Sequence, residues 1–163
     1  MMNTQATAPS AALLNAGTAA AATPILTSAV LLYDGDCGFC AGSVQFVLAH
    51  ERASRRSALR FAPLQGVFGA TVRQRFPSLD TIDSVVWFEP MVGALGQVRT
   101  KSDAALATLA HLGGAWRVVS IAGRIVPRII RDAVYDFIAR HRFQLAAPAC
   151  LLPTADTRDR FLP

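Results

Sequence analysis

Cys37 and Cys40 stand in the run Cys37-Gly38-Phe39-Cys40, directly after Asp34-Gly35-Asp36. Two thiols at this spacing can close an intramolecular disulfide and release it again, so the chemistry on offer is thiol–disulfide exchange. If a helix begins at or just after Cys37, the first sulfur faces unpaired N–H groups and the positive end of the helix dipole, which favours its thiolate. Cys40 then lies one turn inside, on the apolar face and within disulfide reach. This spacing predicts that Cys37 is the more accessible thiol and attacks, and that Cys40 resolves the mixed disulfide. Gly38 leaves room for a partner backbone and Phe39 offers an apolar contact. Asp34 and Asp36 oppose the helix dipole, because a nearby negative charge disfavours a thiolate. As turn residues they cap the following helix; Asp34 is also a candidate proton acceptor when Cys40 attacks.

A competing use of the same cysteines is half a zinc site, completed by Cys150 and one of His50, His111 or His141. No second Cys-x-x-Cys and no close Cys/His pair supports it, so no metal and no cofactor beyond a Cys37–Cys40 disulfide is expected. Cys150 alone reads as a buried, unreactive thiol or as an accessory resolving thiol. Trp87 and Trp116 read as packing anchors.

The elements that must position the dithiol follow from periodicity. Ala29 to Tyr33 (AVLLY) is a short apolar run ended by Asp34-Gly35, as expected of a buried strand. Cys40, Val44, Val47 and Leu48 then follow helical spacing. Leu59 to Pro63 is a second strand, and the helix between makes the pair parallel. Val67 to Phe76 predicts a helix stopped by Pro77, and Ser84 to Phe88 is the strand richest in β-branched and aromatic residues. A hairpin leads to Gln97 to Thr100. Ser102 is the expected cap of a helix turning Ala105, Leu106, Leu109 and Leu112 to the core before Gly113-Gly114. Beyond it, Val126, Ile130, Ala133, Val134, Phe137, Ile138 and His141 trace one helical stripe, with Arg128, Asp132, Asp136 and Arg140 on another face. His141 on that stripe reads as a packing residue. Residues 146–163, with three prolines, read as irregular.

With 163 residues, 52% of them hydrophobic, the chain has material for one packed domain, which excludes wholesale disorder. Its net charge of +5 comes from 15 Arg and a single Lys, scattered rather than blocked, so nucleic acid is not an expected partner. Three cysteines do not make a secreted disulfide framework, which points to a reducing, cytoplasmic setting. Residues 1–28 hold no charge and are rich in Ala and Thr. They lack the basic start of a secretory signal and the Arg of a transit peptide, and their Asn, Gly and Pro oppose a membrane span, so they read as a flexible tail before a domain at 29–163.

The run Tyr33 to Cys40 resembles the signature Asp-x-x-Cys-x-x-Cys of the DCC family, also called DUF393 or YuxK-like, of thiol–disulfide oxidoreductases. Further similarity lies in Gly42-Ser43-Val44-Gln45-Phe46, Arg60-Phe61-Ala62-Pro63-Leu64-Gln65, Thr100 to Leu106, Arg131-Asp132-Ala133-Val134-Tyr135-Asp136 and Cys150-Leu151-Leu152-Pro153. The resemblance implies an α/β, thioredoxin-like three-layer fold with a mixed, mostly four-stranded sheet. An added helical segment at about 114–143 exceeds what thioredoxins carry. It also implies dithiol/disulfide activity toward a protein or a small thiol or disulfide, and it raises the standing of Cys150. One departure is that thioredoxins place a cis-proline before the strand facing the cysteines, whereas Ile82-Asp83 stands here and Pro77 is too far upstream. The alternative function is a thioredoxin-like binding module whose cysteines are redox-silent or zinc-bound.

Overall fold

A computed structural model describes residues 28–82, 84–91, 96–145, 151 and 153–163. The proposed tail, apart from Ser28, and Cys150 lie outside the described residues. Strand β1 (Ala29–Tyr33), helix α1 (Gly38–His50) and strand β2 (Leu59–Pro63) form a parallel βαβ unit, with a 3-10 turn at Ala53–Ala58. Helix α2 (Val67–Arg75) follows, then strands β3 (Val86–Glu89) and β4 (Gln97–Thr100), and helices α3 (Lys101–Leu112), α4 (Gly114–Ile125) and α5 (Arg128–Leu145). The sheet order is β2-β1-β3-β4, with β3 antiparallel to both neighbours. This mixed sheet between helical layers is the expected α/β, thioredoxin-like architecture.

Strand β1 explains why its sequence is apolar throughout. Alternate residues point to opposite faces. Leu31 and Tyr33 join Cys37, Val44, Phe61 and Trp87 in the core under α1 and α3, whereas Val30 and Leu32 join Val72, Leu79 and Phe88 under α2. A strand covered on both faces has no polar side to show. The chain end also joins the sheet: Phe161 forms a bridge to Phe61, and Leu162 N–H donates to the Phe61 carbonyl at 2.8 Å. Part of the segment read as irregular therefore extends the β2 edge.

The helices past the sheet depart from expectation in two ways. First, α3 begins at Lys101, with no side-chain cap, and Ser102 is buried instead, donating to Asp132 of α5. The buried side of α3 is Ser102, Ala104, Ala107 and Leu112; of the residues expected at the core, Leu112 is buried and Leu109 packs against the core half-buried, whereas Ala105 and Leu106 are covered only in part. Leu106 lies under α4, so α3 is covered on a second side as well. Helix α4 makes that contact with its small face: Ser120 donates to the Leu106 carbonyl at 2.8 Å, and a Cβ on Gly123 would stand 2.7 Å from the Leu106 side chain.

Second, α5 turns its polar side inward. Lys101–Asp136, Arg131–Asp103, Arg142–Asp34 and Ser102–Asp132 all tie it to the domain, while Ile130, Val134 and Phe137 of the apolar stripe are exposed. Val118, Ile121 and Ile125 of α4 are exposed as well. Among the described residues, no helix is long and apolar enough to cross a membrane.

Close backbone approach fixes the turn that carries Gln65. A Cβ on Gly69 would stand 2.4 Å from the Leu64 carbonyl oxygen and 2.6 Å from that of Pro63. Neither backbone atom can rotate away. Gly69→Ala is therefore expected to destabilise the fold by about 1–3 kcal/mol, the usual cost of overpacking, read as a lower urea midpoint with an unchanged slope.

Candidate functional site

The dithiol sits where β1 ends and α1 begins. Cys37 has extended backbone angles and caps α1, its sulfur accepting the Cys40 N–H at 3.4 Å. A helix start leaves such N–H groups without helical partners, and sulfur here takes the part that a Ser or Asp side chain takes elsewhere. The two cysteines come within 3.2 Å of each other, and both are free thiols. The expected placement of Cys37 at the helix start and Cys40 one turn inside is what the structure contains.

The expected difference in access is not. Cys37 is 0% exposed and Cys40 4%. Spacing along α1 describes only the helix on which the cysteines lie. Burial of Cys37 comes from the surrounding core, with Leu31, Tyr33 and Trp87 from the sheet and Ala104 and Ala107 from α3 in the same cluster.

Asp34 anchors the loop before Cys37. One carboxylate oxygen accepts Gln65 Nε2 at 2.8 Å and the Asp36 N–H at 3.2 Å, and the other accepts Arg142 Nη2 at 3.1 Å. Its main-chain carbonyl accepts the Cys37 N–H at 3.3 Å. Gln65 also receives the Gly35 N–H at 3.1 Å, so the β2–α2 turn clamps the loop from one side and α5 clamps it from the other. Asp36 is exposed and contributes its backbone to this clamp.

Burial and the adjoining Cys37 push the Cys40 thiol up to about 12, against the opposing pull of the Asp34 backbone N–H and the Arg142 guanidinium. Next to this pair stands Tyr135 of α5. Its hydroxyl accepts the Val85 N–H at 3.2 Å, beside Ser84, and burial raises its pKa. Ser84 and Val85 lead into β3, which begins at Val86; of the Ile82-Asp83 pair expected in place of a thioredoxin's cis-proline, Asp83 lies outside the described residues, which contain no cis peptide bond.

The other candidates are spread out. His50 and His141 each bond the carbonyl four residues earlier, Phe46 and Phe137. His111 packs against Trp87, and burial lowers its pKa. Among the described residues, no group of three His, Cys, Asp or Glu is placed to hold a metal. Gln65, Tyr135 and Arg142 were not singled out from the sequence. Gln65 and Tyr135 do lie in segments that carry the family resemblance, whereas Arg142 offered no local signal.

A strand-to-helix Cys-x-x-Cys on a mixed sheet with helices on both faces defines a thioredoxin-like dithiol protein. The DCC1-like thiol-disulfide oxidoreductase profile matches residues 31–147, and the chain belongs to that family. It is 37% identical over 138 residues to the uncharacterized protein YuxK of Bacillus subtilis (strain 168), covering 82% of this chain and 93% of YuxK. It is 28% identical over 117 residues to a chloroplastic DCC family protein of Arabidopsis thaliana, covering 71% of this chain and 63% of that protein. No solved structure matches the chain.

The raised Cys40 thiol makes stability depend on pH in a defined direction. Its proton is held more tightly in the folded state, so the stabilisation is complete below the unfolded value near 9 and is lost as pH rises from there toward about 12. The reduced protein is expected to lose stability on the order of 1 kcal/mol per pH unit above pH 9. Urea unfolding at pH 8 and pH 10 checks this, and Cys40→Ala should remove that part of the slope.

Proposed function

We propose that the protein is a thiol–disulfide oxidoreductase in which Cys37 attacks a substrate disulfide and Cys40 resolves the product. The observation that carries this reading is the Cys37 sulfur at the start of α1, in contact with the Cys40 N–H. That geometry suits both a nucleophilic thiolate and its partner. Asp34 serves the reaction as organiser of the loop, with its carboxylate already engaged by three donors. Proton acceptance from Cys40 remains its second candidate role. The substrate is a protein or low-molecular-weight thiol or disulfide, the redox group is the Cys37–Cys40 dithiol itself, and the setting is the reducing cytoplasm. With both sulfurs shielded, attack requires local opening of the loop or of α5.

That same shielding favours a second reading, a thioredoxin-like binding module with redox-silent cysteines. Substitution separates the two. Cys37→Ser is expected to abolish exchange with a model disulfide, and Cys40→Ser to accumulate mixed disulfides at Cys37, read by intact mass under non-reducing conditions. Equal exchange by the parent and Cys37→Ser would overturn the assignment.

A further inference from the structure

Helix α5 reaches the dithiol from 108 residues away in the chain. Its last turn carries Arg142, a favourable place for a cation because the helix carbonyls there are unpaired. Arg142 and Asp34 meet at 3.1 Å with both side chains only 12% exposed, so the pair is poorly screened by solvent. Through that single carboxylate the guanidinium bears on both cysteines. Asp34 holds the Cys37 N–H with its carbonyl, and Cys37 in turn holds the Cys40 N–H with its sulfur.

We propose that Arg142 is a positioning residue for the resolving step. It fixes Asp34, and with it the loop that sets Cys40 against Cys37, and it keeps a positive charge beside the sulfur that must become a thiolate. This inference rests on the redox reading above.

The step balances as follows with glutathione disulfide as oxidant. The Cys37 thiolate attacks one sulfur, the glutathione S–S bond breaks, and one glutathione thiolate leaves. Cys40 then gives up its proton to solvent and attacks the Cys37 sulfur. The mixed disulfide breaks, the Cys37–Cys40 bond forms, and a second glutathione leaves as thiolate and takes up a proton from solvent. The dithiol loses two electrons and one glutathione disulfide becomes two thiols.

Only the second half depends on Cys40 ionising. The groups facing its sulfur are Cys37 from α1, Asp34 from the preceding loop, and Tyr135 and Arg142 from α5; of these, Arg142 alone brings a fixed positive charge. Removing the Arg142 charge, the weakest of the influences on this thiol, raises it further, and each unit of such a rise cuts the thiolate about tenfold. The more basic thiolate is the better nucleophile, so the net slowing is about threefold per unit.

The test is rapid acid quenching of the reduced protein mixed with glutathione disulfide, with intact mass separating the glutathione adduct from the intramolecular disulfide. Arg142→Gln, which frees α5 from the loop, is expected to form the adduct at the parent rate or faster and to resolve it about three- to tenfold more slowly. Arg142→Lys, which keeps the charge, should recover most of the resolving rate. Resolution by Arg142→Gln at the parent rate would overturn the inference, and so would equal slowing of both steps, the mark of a merely structural contact. Should Arg142→Gln not fold, Arg142→Met, which keeps most of the apolar stem without the charge, must show the same selective slowing. A parent protein that forms no adduct at all overturns the redox reading, and this inference with it.

Discussion

The ion pair between Asp34 and Arg142 is where the redox loop and the C-terminal helix become one unit. A carboxylate and a guanidinium this far out of water are costly unless each meets the other and their remaining bonding positions are filled. Gln65 and the Asp36 N–H fill them on the Asp34 side, so the β2–α2 turn is drawn into the same arrangement. Breaking any one member leaves the others buried with fewer partners. The loop is thereby held by groups on α5 and on the β2–α2 turn, as well as by its own strand and helix.

The orientation of α5 follows from that constraint. To bring Arg142 to Asp34 the helix must lay its polar side on the domain, and that side also carries Tyr135 to Val85, Asp132 to Ser102 and Asp136 to Lys101. The stripe with Ile130, Val134 and Phe137 then faces outward. Hydrophobic burial, which places β1 and β2, does not place this helix. Directional polar contacts do, and their geometry is specific enough to set which residues stand beside Cys40.

The sheet and the dithiol were legible in the sequence because their signals are local. AVLLY before Asp-Gly, helical spacing after Cys40, and the β-branched run near Trp87 each report on a few adjacent residues, and the strands, crossover and hairpin were readable from them. The placement of Cys37 at a helix start was readable for the same reason. Its burial was not, since that depends on Trp87 and α3, some 50 residues or more further along. An amphipathic pattern shows that α5 has two faces without saying which one docks. Arg142 looked like any surface arginine because its partner is 108 residues away. Ser102, likewise, has the type and position of a helix cap, yet its hydroxyl is used by Asp132.

A redox centre differs from a buried pair of thiols in one observable way: it equilibrates with its surroundings in units of two electrons. The purified protein should be titrated against graded glutathione buffers with metal chelated, and free thiols counted by mass after alkylation and digestion. A single cooperative two-electron transition confined to the peptide carrying Cys37 and Cys40 is the expected result, and its midpoint gives the potential. Two thiols that stay reduced across the whole range, or a transition that involves Cys150 without them, would contradict a Cys37–Cys40 redox centre.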